Sequence, residues 1–139
     1  MTEEEKRDLI VLDISGRIPY GVYVLDEYRI DPEDEEKKIE DIIVKVYSIT
    51  GWGEVEVEYK DGCWSDKMGY PFYKPILRLY EDLTPEEIEN LGKIKIDWKR
   101  VDYMNKIMLD YRGLIEKGLA YRKGHYDKDK LRDTSKESD

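Results

Sequence analysis

One cysteine and one histidine occur in 139 residues, and these two scarcities remove most of the familiar routes to chemistry. Cys63 has no partner for an internal disulfide, which fits a reducing compartment. One thiol and one imidazole fall short of a zinc set, and no loop of spaced carboxylates replaces it, so neither a metal nor a cofactor is expected. His125 sits in a charged stretch with nothing around it to hold a general base at a fixed distance from a proton. Ser15, Ser48 and Ser65 lack an ordered histidine, and Cys63, next to Trp64, reads as a small half-buried side chain. An enzyme is not expected.

Long apolar runs are missing too. Leu9-Ile10-Val11-Leu12 is far shorter than the ~20 residues a bilayer span needs, and Glu3-Glu4-Glu5 is the reverse of a basic signal-peptide start. The expected location is the cytoplasm, away from membranes. No phosphate-cradling glycine loop exists, since Gly51-Trp52-Gly53 is a hairpin bend. A basic excess is absent as well: 24 Lys plus Arg against 33 Asp plus Glu leave a net charge of -9, which repels phosphate backbones and argues against direct nucleic-acid binding.

What is present is aromatic bulk in a charged chain. A charged fraction of 41% alone leans toward disorder, but 12 Tyr and 3 Trp supply the bulk of a folded core. The length suits one domain, read as residues 1–121 with a charged tail over 122–139. Thr2 followed by Glu5 is a capping box that opens a helix, with Leu9, Ile10, Leu12 and Ile14 as its apolar side; the rival reading is a strand through Leu9 to Leu12. Pro19 ends the helix, and a strand follows from Tyr20 to Ile30. Asp31 to Lys38 is a polar loop. Ile42 to Ile49 reads as a buried strand, and Glu54 to Tyr59 has strict period two, with Val55, Val57 and Tyr59 facing inward.

Asp61-Gly62 signals a turn, and residues 65–75, with Gly69, Pro71 and Pro75 among Tyr70, Phe72 and Tyr73, read as an aromatic-rich loop that covers the core or forms a contact patch. Ile76 to Tyr80 is expected as the last principal strand. Thr84-Pro85-Glu86-Glu87 opens a helix that should stop at Gly92, and Ile94 and Ile96 suggest a minor strand. Trp98, Val101, Met104, Met108 and Tyr111, with Ile107 beside them, recur at helical spacing and are expected to lie on the sheet, and Gly118 should fold Leu119 back onto Leu114. The class is therefore α+β: a small bent antiparallel sheet of four to five strands, with an SH3-like partial barrel as one form, an N-terminal helix and two C-terminal helical segments.

Three stretches carry a resemblance: Leu12-Asp13-Ile14-Ser15-Gly16-Arg17-Ile18-Pro19-Tyr20-Gly21-Val22, then Lys74-Pro75-Ile76-Leu77-Arg78 followed by Thr84-Pro85-Glu86-Glu87, then Asp110-Tyr111-Arg112-Gly113-Leu114-Ile115-Glu116-Lys117-Gly118-Leu119-Ala120. In this order they resemble a group of small proteins encoded by phages and prophages of gut bacteria, in which Arg-Leu-Pro-Tyr-Gly-Val, Lys-Pro-Tyr-Leu-Arg-Pro and Asp-Tyr-Arg-Gly-Leu-Ile recur. The chain departs from that pattern at Ile76, usually Tyr, and Leu79, usually Pro. The resemblance implies a phage or prophage setting, hence a host cytoplasm, and no particular activity.

Two candidate sites follow. Glu54, Glu56 and Glu58 form an outward acidic row whose ~6.6–6.8 Å spacing approaches that of phosphates, so with Glu33 to Glu36 it could imitate DNA to a basic host protein; the plainer reading is a solvated face. Arg17 and Arg112, beside Tyr20 and Tyr111, could line a cationic pocket for an anionic nucleotide, across a homodimer in one version. The plainer reading ties both arginines to Asp13, Asp110 or carbonyls. The leading functional expectation is a non-catalytic phage- or prophage-type interaction protein that binds a host component; the alternative is a binder that sequesters an anionic small molecule.

Overall fold

The computed structural model describes residues 1–27, 42–58 and 65–126. Helix α1 (Glu3–Arg17) starts where the capping box places it: the Thr2 hydroxyl accepts from the Glu5 N–H at 3.0 Å, and the Glu5 carboxylate accepts from the Thr2 N–H at 3.3 Å. Ile10 and Ile14 are fully buried, whereas Leu12 faces water, so the apolar side is narrower than expected. At Pro19 the helix gives way to a 3-10 turn, Ile18–Tyr20, closed by Gly21 in the left-handed region at φ 85°.

The strands are β1 (Tyr23–Asp26), β2 (Ile43–Ile49), β3 (Val55–Glu58), β4 (Ser65–Met68), β5 (Tyr73–Leu77) and β6 (Tyr121–Arg122). They form one sheet in the order β4-β3-β2-β1-β5-β6, antiparallel throughout except for the last pair. The class is α+β. The sheet is open and mixed, with no barrel closure. Alternation along β1, β2, β3 and β5 puts Val24, Val44, Val46, Val55, Val57, Tyr73 and Leu77 on one face, where they form the main core with Ile10 and Ile14 of α1. Burying that set is the largest source of stability in the fold, at about 25 cal/mol per Å² of apolar surface. The other face carries Tyr23, Lys45 and Tyr47 beside a small buried cluster of Leu25, Ile42 and Ile76, covered by Tyr121 and Tyr126.

Residues 65–75 are not a loop. They contain β4 and the start of β5, joined by a turn with a cis Tyr70–Pro71 bond. Pro75 fits inside β5 because the Glu27 N–H donates to the Phe72 carbonyl, which makes Val24–Pro75 a non-hydrogen-bonded pair by alternation, where no ladder N–H is needed. Tyr73 is fully buried with its hydroxyl donating to the Gly53 carbonyl at 2.6 Å; Phe72 is exposed. The strand expected over Ile76–Tyr80 thus lies earlier, and Tyr80–Asp82 is a 3-10 turn.

Helix α2 (Pro85–Lys93) uses the Thr84 capping box and runs through Gly92 instead of stopping there. No strand forms at Ile94 or Ile96. Helix α3 (Asp97–Lys106) is shorter than its apolar pattern, and its first half does not lie on the sheet: Trp98 and Val101 are 68% and 39% exposed. The helix that covers the sheet is α1. Met104 and Ile107 pack with α2 around Leu83, Leu91 and Leu109, and Met108, at φ 60°, turns the chain so that it joins the main core. Leu109 then bridges to Arg78 beside β5. The Gly118 turn forms as expected, with φ 75°, Leu119 N–H donating to the Leu114 carbonyl at 2.8 Å and Gly118 N–H to that of Ile115 at 3.1 Å. Packing continues past Tyr121 to Tyr126. Tyr59, Asp61-Gly62, Cys63, Trp64, Ile30, the 31–38 loop and Glu33 to Glu36 lie outside the described residues, as does the tail from 127.

Candidate functional site

Asp13 and Arg17 are one turn apart on α1 and therefore share a face. Both are fully buried, and the guanidinium meets the carboxylate at two points, Nε to Oδ2 at 2.9 Å and Nη2 to Oδ1 at 3.0 Å. Arg17 also donates to the Leu109 carbonyl at 2.7 Å and, more loosely, to that of Met104 at 3.5 Å. Arg112, carried in by the segment after α3, donates to Asp13 Oδ1 at 2.7 Å. Tyr111 lies against both guanidiniums, its ring centroid 5.2 Å from Arg17 Cζ and 4.5 Å from Arg112 Cζ, and its hydroxyl donates to Asn105 at 2.8 Å. Gly16 makes room for Asn105: a Cβ there would stand 3.1 Å from the amide nitrogen.

The two motif arginines therefore do meet, with Tyr111, but around a buried carboxylate that uses both. This cluster braces α1 against the C-terminal segment. Tyr20 is not part of it. Its hydroxyl donates to Asp102 on α3, which pushes the phenol pKa up.

The acidic row is also divided. Glu54 precedes β3, Glu56 is registered opposite Lys67 and Glu58 opposite Lys45, and the Glu58 carboxylate accepts from the Tyr47 hydroxyl. Cross-strand lysines thus interleave with the acids on this face, so its potential is mixed.

A cavity of about 510 Å³ opens on the sheet face away from α1, between β1, β5 and the end of α3. Tyr20, Tyr23 and Gly21 form one side; Ile43, Ile76, Ile107 and Met108 supply an apolar lining; Arg78, Glu87, Lys106 and Lys123 bring charge. Apart from Tyr20, sequence reasoning singled out none of these for binding. Gly21, Ile76 and Arg78 lie inside the resembling motifs, but the lining comes from six separate segments, so no local pattern announces it.

Arg78 organises one wall. Its guanidinium donates to Glu87 Oε1 and Oε2 at 2.7 and 2.8 Å and to the Asp82 and Ile107 carbonyls at 2.9 and 3.2 Å. The Arg78 bonds, with help from the Thr84 cap, lower the Glu87 pKa from 4.5 to about 2. Arg122 likewise holds Asp82 at about 2, from 3.8. A carboxyl depressed in the folded state stabilises above its unfolded pKa, and that contribution fades as pH falls through the folded value. The melting temperature should therefore decline as pH drops from about 4.5 toward about 2, and Glu87→Gln should flatten that decline without abolishing it, since Asp82 remains. Thermal melts across this range test it; an identical slope in the variant would contradict the assignment.

Comparison with protein-family models, curated protein sequences and solved structures finds no match to this chain. Among the described residues, no helix is long and apolar enough to cross a membrane.

Proposed function

We propose that the chain is a non-catalytic interaction protein of phage or prophage type that binds a host protein, and that it docks through the start of α3. The observation that carries this reading is the exposure of Ile96, Trp98 and Val101, at 47%, 68% and 39%, on one short stretch. A tryptophan left in water forgoes a large burial gain, and such side chains are the commonest anchors when a partner covers them. Lys95, Lys99 and Arg100 are exposed around them, with Lys99 Nζ 5.5 Å from the Trp98 ring centroid. The complementary partner is an acidic surface, despite the protein's own net charge of -9. The resemblance of the three motifs to phage and prophage proteins supports the setting.

Trp98→Glu should abolish capture of a single host protein from lysate, the wild-type capture should weaken with salt, and the melting temperature should hold because the side chain lies outside the core. Quantitative mass spectrometry of the captured set reads this out. An unchanged set would refute the proposal, and so would a wild-type dimer that Trp98→Glu converts to monomer, since the strip would then be a self-interface.

A further inference from the structure

We infer that the cavity beside Arg78 is a binding site for a phosphorylated small molecule with an aromatic body, of mononucleotide size. The first support is charge. Of the four charged side chains in the lining, Arg78 and Glu87 neutralise each other through a two-point bond at 2.7 and 2.8 Å. Lys106 and Lys123 form no ion pair among the described residues. Lys45 adds a third ammonium at the Gly21 edge, where its Cε and Nζ would stand 3.5 and 3.8 Å from a Cβ on that glycine. In a chain with 33 acidic against 24 basic residues, Lys106 and Lys123, with no ion pair among the described residues, mark this concavity as a place where an anion would be favoured. Lysine ammonium groups, as compact point charges with three donors each, suit a phosphate.

The second support is shape. Ile43, Ile76 and Met108 offer an apolar floor, and Tyr20 and Tyr23 place two aromatic rings at its side, the combination that accepts a planar ring by stacking and burial. The cavity, at about 510 Å³, falls within the range of small-ligand sites. Its wall is fixed. Met108 is held in the left-handed region at φ 60° by the Arg78 N–H, which donates to its carbonyl at 2.8 Å, and strained non-glycine backbone of this kind gathers at binding sites. The site sits at the far end of α3 from Trp98.

Isothermal titration of the full chain with nucleoside monophosphates, the matching nucleosides and inorganic phosphate tests the inference. At least one monophosphate should bind saturably, with nucleoside and phosphate each at least about tenfold weaker. Lys106→Ala with Lys123→Ala should weaken that monophosphate by about tenfold or more at an unchanged melting temperature, because both side chains lie on the surface. Arg112→Gln should leave the affinity unchanged. The inference is overturned if no monophosphate binds up to about 1 mM, if phosphate alone accounts for the signal, if the double lysine variant binds as wild type, or if Arg112→Gln removes binding and so moves the site to the Asp13 cluster.

Discussion

Asp13→Ala should lower stability by about 3–5 kcal/mol, a drop of roughly 10–20 °C in melting temperature for a domain of this size. The carboxylate is the shared acceptor of two guanidiniums, one of them with no access to water. Without it Arg17 keeps the Leu109 and Met104 carbonyls and the Tyr111 ring, and its positive charge stays buried without that counterion. Arg112 is better placed, because its side chain is 22% exposed and can turn outward. Arg112→Gln should therefore cost clearly less than Asp13→Ala. Replacing both members of the buried pair, as Asp13→Leu with Arg17→Met, should recover much of the loss, since desolvation of two charges offsets most of their mutual attraction. Urea titrations of the variants decide the matter. An Asp13→Ala protein within about 1 kcal/mol of wild type would mean that the cluster does not hold α1 to the C-terminal segment.

Leu114→Ala should cost about 3 kcal/mol, within the usual 2–5 for a buried leucine. Leu114 is fully enclosed in the main core, and the turn around it is fixed at both ends. Asp110 accepts from the Leu114 and Ile115 N–H groups at 2.8 and 2.9 Å, and the Gly118 turn brings Leu119 N–H onto the Leu114 carbonyl. None of these bonds uses the leucine side chain, so the backbone should persist and leave a cavity that cannot close. Chemical denaturation should show a lower midpoint with an unchanged slope. A loss below about 1 kcal/mol would place the side chain outside the tightly packed interior.

Signals confined to a few neighbouring residues were legible. Thr2 with Glu5, Thr84 with Glu87, and Leu114 with Gly118 and Leu119 each specify a local hydrogen-bond pattern, and each forms. The period-two run at Val55 and Val57 fixed β3 for the same reason. Errors arose where local chemistry was ambiguous. Pro75 argued against a strand, yet a non-hydrogen-bonded pairing position accepts it. Trp98 and Val101 matched a core stripe, but periodicity reports that a helix has an apolar side and not what covers it. Asp13 was already named as a carboxylate that could tie the two motif arginines; that it takes both depends on a separation of 99 positions in sequence. The cavity was unreadable because no segment contributes more than a few of its residues.

That long separation shapes how the chain reaches its native state. Asp13 waits for Arg112, and the Glu27 carboxylate waits for the Tyr121 hydroxyl, 94 positions downstream. On a translating ribosome the amino-terminal helix can wind early, but its acidic and basic groups stay hydrated until the distant segment emerges. Closure of the interior is thus a late, all-or-none event, and a nascent polypeptide halted before Arg112 should remain sensitive to protease along its length.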